Sequence, residues 1–343
     1  MTVGITSNIL AIAILLKAYQ RFRKKSKASF LLFASGLVIT DLFGHLINGA
    51  IAVYVYASDR NWSKFDHADV LCSIFGMCMV FFGLCPLLLG SVMAVERCVG
   101  VTEPIFHSTT MTSRHAKIIL TCVWLFAILV ALLPILTFRY YHIQATKTWC
   151  FLKTEQIENW MDQFHLLLFS CLGFLSLAIS FLCNAMTGIT LLRSRMRSQQ
   201  HRQGRSHHIE MIIQLLAIMC VSCICWTPFL FTMANIGLKI YGSQSQETNQ
   251  TILFALRMAT WNQILDPWVY ILLRKTVLRK LFRIARRCCG VEIISLHAWE
   301  FSSIKNSLKV ATISDSPSCT RTNTLSISQK SDTEQKCELI ETK

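Results

Sequence analysis

The sequence predicts an all-α membrane protein: a seven-transmembrane helix bundle with a cytoplasmic amphipathic helix behind it. Three observations predict it. The chain holds seven long apolar stretches, Lys and Arg cluster in alternate connections between them, and the composition cannot clothe a water-soluble surface. Of its 343 residues 53% are hydrophobic and 15% charged, with a mean hydropathy of +0.45, whereas soluble chains carry about a quarter charged residues. The net charge of +15 does not indicate nucleic acid, because the basic residues stand in short groups between apolar runs, as they do where they orient membrane spans.

A membrane helix needs roughly 20 mostly apolar residues. The stretches that qualify are Met1–Leu16, Ala28–Ala57, Val70–Val99, Ala116–Phe138, Phe164–Leu192, Ile209–Leu238 and Thr251–Leu273. The first is short: roughly 16 residues cover about 24 Å, less than a core of about 30 Å. Its outer end, with an extracellular segment before it, is expected to lie outside this sequence. The apolar start runs into the basic cluster at Lys17–Lys27 without a small-residue cleavage site, so no cleavable signal peptide is expected. The bundle is assigned to 1–273, the amphipathic segment to 274–289 and a disordered, Ser/Thr-rich tail to 290–343.

Orientation follows from the positive charges. One set of connections carries Lys17 to Lys27, Arg114 and Lys117, Arg193 to Arg205, and Arg274 to Arg287. The alternate set carries Asp59, Asp66, Asp69, Glu155, Glu158, Asp162 and Glu247. The basic side is expected to face the cytoplasm, leaving the N-terminus outside. The glycosylation sequons at Asn61 and Asn249 then fall in outer loops, and Cys72 and Cys150 lie on the side where disulfides persist. Most of the 15 cysteines sit in apolar segments and act as small hydrophobes. No zinc-ligand spacing appears, so neither metal nor cofactor is expected. After the last span, Val277, Leu278, Leu281, Phe282 and Ile284 alternate with basic residues; this reads as a helix lying on membrane lipid, and Cys288-Cys289 suits palmitoylation. The polar tail is open to kinases.

Polar side chains within spans are costly and usually face the bundle interior. Those noted are Asn8, Asp41, His45, Glu96, Arg97, Asn184, Arg257, Asn262 and Asp266. Arg257 is the sharpest. Its guanidinium stays charged, about two turns inside the outer end of the seventh span, and no acid in the outer half of any span offers itself as partner. It reads either as a clamp on a ligand carboxylate or as a snorkelling or structurally paired side chain, with the clamp favoured. Asp41 and His45, four apart, share a helix face, and Tyr56 lies further out near that face. His45 alone reads more readily as a satisfied core histidine than as a ligand donor. Asp41 is a buried switch or ion site, or a polar knot with Asn8 and Asp266. Glu96-Arg97, by spacing alone, is a solvated helix end. Pro228, after Trp226, and Pro267, after Asp266, each remove a backbone donor and are expected to kink their helices.

No nucleophile, base and orienting group stand together, and no phosphate loop or HExxH occurs, so an enzyme is not expected. A transporter would carry an internal repeat with two matching broken helices, and none is visible.

Together these residues resemble the rhodopsin-like family of G-protein-coupled receptors. The resemblance rests on Gly4-x-x-x-Asn8, Asp41, Cys72 with Cys150, Glu96-Arg97-Cys98, Trp124, Cys225-Trp226-x-Pro228 and Asp266-Pro267-Trp268-Val269-Tyr270, and covers essentially the whole helical region. Cys98 in place of a Tyr, and Asp266 in place of an Asn, are similar to the prostanoid receptors, as are Thr148-Trp149-Cys150-Phe151 and the run Leu256 to Tyr270. The stretches 17–23, 198–208 and 294–297 resemble the prostaglandin F branch.

The resemblance implies a Cys72–Cys150 disulfide and prostaglandin F2-alpha as ligand. It implies that Arg257 and Thr148 hold the carboxylate, with Tyr56 at the rim and His45 at the ring hydroxyls. Met79, Phe151, Phe169, Trp226, Phe229, Leu256 and Thr260 would line the channel. It further implies that Glu96, Arg97, Asp41, Asp266, Pro267 and Tyr270 act in activation, and that the partners are a Gq-class G protein, receptor kinases and arrestin. A receptor for prostaglandin E or thromboxane is the nearest rival.

Overall fold

Apolar side chains cover the outside of this bundle as well as filling most of its inside, and several polar side chains are buried among them, unlike a soluble protein. Large hydrophobics such as Leu125, Leu182 and Ile224 are about 60% exposed, at 61%, 60% and 62%, in mid-helix. Asn8, Asp41, Asn262 and Asp266 are buried. Such an arrangement is stable only where hydrocarbon replaces water as solvent. The computed structural model describes residues 1–22, 28–197, 202–239 and 246–268. All lie within one compact unit, Met1–Ala285. The expected amphipathic helix, Cys288, Cys289, the tail and Tyr270 lie outside the described residues.

Among the described residues, seven long helices make the bundle: α1 (Thr2–Phe22), α2 (Ala28–Ala57), α4 (Val70–Thr102), α6 (Ser113–Leu136), α7 (Trp160–Arg197), α8 (Arg202–Gly237) and α9 (Gln246–Pro267). Two short ones lie in connections, α3 (Trp62–Phe65) and α5 (Pro104–Thr110). Five long helices are apolar enough along their length to cross a membrane, and α1 has a shorter apolar run, Thr2–Lys17. α2 has the bounds its apolar stretch predicts. The others overrun theirs at one end or both: α1 continues to Phe22, α4 to Thr102, and α9 begins at Gln246. An apolar run marks where lipid begins and ends, while backbone hydrogen bonding carries the helix on into polar residues.

α4 is the central post, packed against α2, α6 and α7; α7, α8 and α9 follow in sequence, and α1 closes onto α2 and α9. Trp124 Nε1 donates to Thr40 Oγ1 at 3.1 Å and ties α6 to α2. Gln263 Nε2 donates to the Phe82 carbonyl at 2.7 Å and ties α9 to α4. α8 continues through Pro228, which lies inside the helix. One proline removes one donor and leaves the neighbouring bonds intact.

A two-stranded hairpin, β1 (His142–Ile143) and β2 (Cys150–Phe151), lies between α6 and α7, pairing His142 with Phe151 and Ile143 with Cys150. Cys72, in the first turn of α4, is bonded to Cys150, with Cα atoms 5.4 Å apart. Asp66 holds that turn by accepting from the Leu71 and Cys72 amides at 3.0 and 2.8 Å. Trp62 Nε1 donates to the Lys147 carbonyl at the hairpin tip. Tyr141 packs where Gly76 leaves room, since a Cβ there would sit 2.4 Å from its ring, and its hydroxyl donates to the Ala131 carbonyl at 2.6 Å. Burial pushes that hydroxyl well above the ordinary tyrosine range, so it remains a donor. The hairpin is thus anchored to α3, α4 and α6 and held over one end of the bundle.

Candidate functional site

Beneath the hairpin the bundle encloses a cavity of about 260 Å³. α2 presents His45, Asn48, Gly49, Ala52 and Tyr56 to it, a stripe at helical spacing that climbs about 16 Å from His45 to Tyr56. α9 presents Leu253, Leu256, Ala259, Thr260 and Gln263, and the hairpin Thr148, Trp149 and Phe151. Met79 of α4, Phe169 of α7, and Trp226 and Phe229 of α8 complete the wall.

The wall is largely aromatic. Phe151 meets Phe169 edge-on with ring centroids 5.4 Å apart, and Phe229 at 5.6 Å; Trp226 lies 6.4 Å from Phe229. Four buried polar atoms of the lining residues have no hydrogen-bond partner: His45 Nε2, Asn48 Oδ1, Trp149 Nε1 and Trp226 Nε1. An apolar cavity with a few convergent polar groups is the usual make-up of a small-molecule site, and a buried polar atom left unpaired is unfavourable until something pairs with it. At the mouth Tyr56 is exposed, with the Arg60 guanidinium 5.9 Å over its ring. Thr148 Oγ1 lies 2.9 Å from Thr146 Oγ1.

Ten of the eleven ligand-site residues expected from the sequence line this cavity; Arg257 does not. It sits on α9 turned about 40° from Leu253 and about 60° from Thr260, at the edge of the lining stripe. Its side chain is exposed, and among the described residues no carboxylate pairs with it. The physical reason is desolvation: a guanidinium has nothing to gain in an apolar cavity that holds no anion.

His45 is only in part the satisfied core histidine that spacing alone favours: its ring meets the Gln263 backbone, while its Nε2 is buried and unbonded. Gly4 makes room for it: a Cβ there would lie 2.4 Å from His45 Nε2. Asn8, one turn along α1, donates to the Gly4 and Gln263 carbonyls at 2.9 and 3.3 Å. The Gly4-x-x-x-Asn8 pattern therefore seats α1 against the cavity floor. Gly4→Val is expected to displace the imidazole or part α1 from α2, lowering ligand affinity about tenfold or more while the outer half of the cavity is unchanged. Binding measured on surface-expressed receptor checks this; unchanged affinity would refute the seating.

Deeper still, Asn262 Nδ2 donates to Asp266 Oδ2 at 2.9 Å, while both oxygens of the fully buried Asp41 lack a bonded partner. Asn8 does not bond to Asp41, which removes that member from the expected knot. At the opposite end from the hairpin, Glu96 is buried and its Oε1 lies 3.2 Å from His107 Nε2. Arg97 is half-buried, its guanidinium 4.2 Å over the Phe30 ring. The solvated helix end expected from spacing is thus wrong: α5 folds back and covers it. Asn61 sits at the start of α3, in a connection as expected; Asn249 lies in the first turn of α9 instead of a loop, because that helix begins before its apolar run.

Asn48, Trp149 and Gln263 were missed from sequence as cavity residues. Asn48 carried a usable signal: it follows His45 by three residues in an apolar span, on the same face. Trp149 and Gln263 carried none, because only packing shows which way they turn.

The 7 transmembrane receptor (rhodopsin family) model matches residues 7–270. Similar proteins include the prostaglandin F2-alpha receptor of Homo sapiens, 74% identical over 317 residues that span 92% of this chain and 88% of that receptor. The Rattus norvegicus receptor of the same name is 71% identical over 323 residues, 94% of this chain and 88% of its own. The prostaglandin E2 receptor EP1 subtype of Canis lupus familiaris is 38% identical over 358 aligned positions, 90% of this chain and 87% of its own. With membrane-length helices around a cavity capped by a disulfide-tied hairpin, the chain belongs to the rhodopsin family of seven-transmembrane receptors: it is a multi-pass membrane protein and a receptor, not an enzyme.

Proposed function

We propose that the chain is a plasma-membrane receptor for prostaglandin F2-alpha, with its N-terminus outside and its C-terminus in the cytoplasm, that activates a Gq-class G protein and raises cytosolic calcium. The observation that carries this reading is the cavity itself: a long aromatic wall interrupted by unbonded polar atoms at several heights, with an unpaired cation at its edge. A prostaglandin is a flexible fatty acid with one carboxylate and a few hydroxyls, and it needs those features in that order. High identity to receptors named for prostaglandin F2-alpha supports the choice within the prostanoids.

In this reading Arg257 swings from the rim to the ligand carboxylate beside Thr148, and Tyr56 closes the mouth. His45 meets a ring hydroxyl, and Met79, Phe151, Phe169, Trp226, Phe229, Leu256 and Thr260 enclose the two chains. Bound ligand shifts the receptor only by favouring its active form over its resting one. Arg97 then leaves Phe30 for the G protein, Glu96 leaves His107, and Asp41, Asp266, Pro267 and Tyr270 rearrange with the inner ends of α8 and α9. Receptor kinases and arrestin act on the tail, Cys288 and Cys289 carry palmitate, and Asn61 and Asn249 carry glycans.

A competition panel over the natural prostaglandins and a thromboxane mimic, with calcium release read in parallel, tests the assignment. Prostaglandin F2-alpha is expected to displace a bound radioligand at the lowest concentration and to raise calcium. Preference for an E-type prostaglandin or the thromboxane mimic would move the receptor to another branch, and silence toward every prostanoid would reject the ligand class.

A further inference from the structure

A cation outside the cavity has no part in the binding scheme above. α2 ends at Ala57, and the chain after it turns through two left-handed residues, Asp59 at φ 53° and Arg60 at φ 57°. Neither is a glycine, so each is held against a backbone penalty. The Asp59 amide donates to the Tyr56 carbonyl at 3.2 Å, and the Arg60 amide to the Val55 carbonyl at 3.0 Å. The second bond reaches back five residues and folds Arg60 onto the last turn of α2. Its guanidinium carbon lies 5.9 Å over the ring of Tyr56, and Tyr56 lines the cavity together with Thr148. The turn therefore keeps a permanent charge at the mouth instead of leaving it to range through solvent.

That charge is uncompensated. Arg60 is exposed, and among the described residues no carboxylate pairs with it. A ring face attracts a cation but carries no net charge to neutralise it. The buried acids of the same end are taken: Asp66 accepts from the Leu71 and Cys72 amides, and Asp162 from Arg139.

We propose that Arg60 is the encounter site for the ligand's carboxylate: it draws the anion to the mouth beside Tyr56, before Arg257 and Thr148 hold it. The inference rests on the proposed function and deepens it, separating a residue for arrival from those for retention. A carboxylic acid with an ordinary pKa of about 4 is ionised at neutral pH. The exposed Asp59, Asp69, Glu155 and Glu158 of the outer connections repel it, so a local cation decides where it lands. A charge on the rim changes the rate of arrival and its salt dependence, whereas a desolvated partner changes the rate of departure. One unit charge at contact distance in water is worth about three- to fivefold in encounter rate at low salt, and salt screens it. A cation at this end of α2 also meets the negative end of the helix dipole, a role that acts on stability and leaves arrival alone.

The test measures association and dissociation rates of prostaglandin F2-alpha and of its methyl ester on intact receptor in membranes, at low and at high salt. Arg60→Gln is expected to slow association of the acid about three- to fivefold at low salt and by less than about twofold at high salt. Dissociation of the acid and both rates of the ester should stay within about twofold of wild type, and Arg60→Lys, which keeps the charge, should keep most of the acid's rate. Lys64→Gln removes another exposed charge from the same connection and should leave acid association close to wild type. Equal slowing of acid and ester, equal slowing by Lys64→Gln, or a change confined to dissociation would overturn the inference and leave the receptor assignment standing. If Arg60→Gln fails to reach the surface, Arg60→Lys and the wild type decide. Association that falls with salt for the acid alone, and is kept in Arg60→Lys, supports the inference; acid association indifferent to salt overturns it. A wild type that binds no prostaglandin overturns the receptor assignment and this inference together.

Discussion

Arg257→Ala lowers the affinity of the receptor for the free acid of its ligand by about 2–3 kcal/mol, roughly thirty- to hundredfold, and barely changes the affinity of the methyl ester. Removing one side of a buried charged pair costs about 2–5 kcal/mol. The lower part of that range applies because Arg257 lies at the edge of the cavity with its side chain exposed, so the pair it forms is not fully buried. The ester carries no charge, so the wild-type receptor gains little from the guanidinium when binding it. Saturation binding with the acid, and competition by the ester, on wild type and variant give the four affinities needed. Equal losses for acid and ester would mean that Arg257 supports the fold of α9, and the clamp would be withdrawn. Arg257→Lys is a sharper probe: a point charge without the planar fork should restore only part of the acid affinity.

The second large effect is expected from Cys72→Ser. The disulfide joins positions 78 apart in sequence, and freeing a loop of that length costs about 4–5 kcal/mol of chain entropy in the simplest account. The loss is local in consequence. Cys150 is followed by Phe151, which is buried and packs on Phe169 and Phe229, so releasing the strand takes one aromatic ring out of the cavity wall and loosens Thr148 beside it. Surface expression should fall steeply, and the surviving receptor should lose ligand at a lower temperature than wild type. Cys150→Ser should match it, and the double variant should be no worse than either, because each breaks the same bond. A single variant with normal expression and ligand retention would show that the hydrogen bonds of Asp66, Trp62 and Tyr141 hold the hairpin without the disulfide.

The lipid-spanning character, the place of each span and the receptor family were legible in the chain, though helix ends such as Phe22 and Arg202 lie beyond the expected bounds, because burial in hydrocarbon demands long uninterrupted apolar runs and because Glu96-Arg97-Cys98 or Asp266-Pro267 is readable wherever it folds. Arg257 was legible as a cation in a costly place. Its position at the edge of the lining stripe was not, since that depends on the rotation of α9 against its neighbours. Glu96 shows the same limit. As a dipeptide at a helix end it reads as solvated, and only the return of α5, which brings His107 over it, makes it a buried pair.

What the sequence determined by itself is therefore the set of elements and the identity of their chemistry: which stretches avoid water, and which few residues there are charged or polar. What only the tertiary structure decided is which of those residues share a space. His45, Asn48 and Trp149 became one binding surface because Gly4 admits α1, Gly76 admits Tyr141, and a disulfide holds the hairpin above them. Periodicity is a local property carried by each helix alone, whereas a cavity exists only between helices, and its shape follows from packing that no single segment encodes.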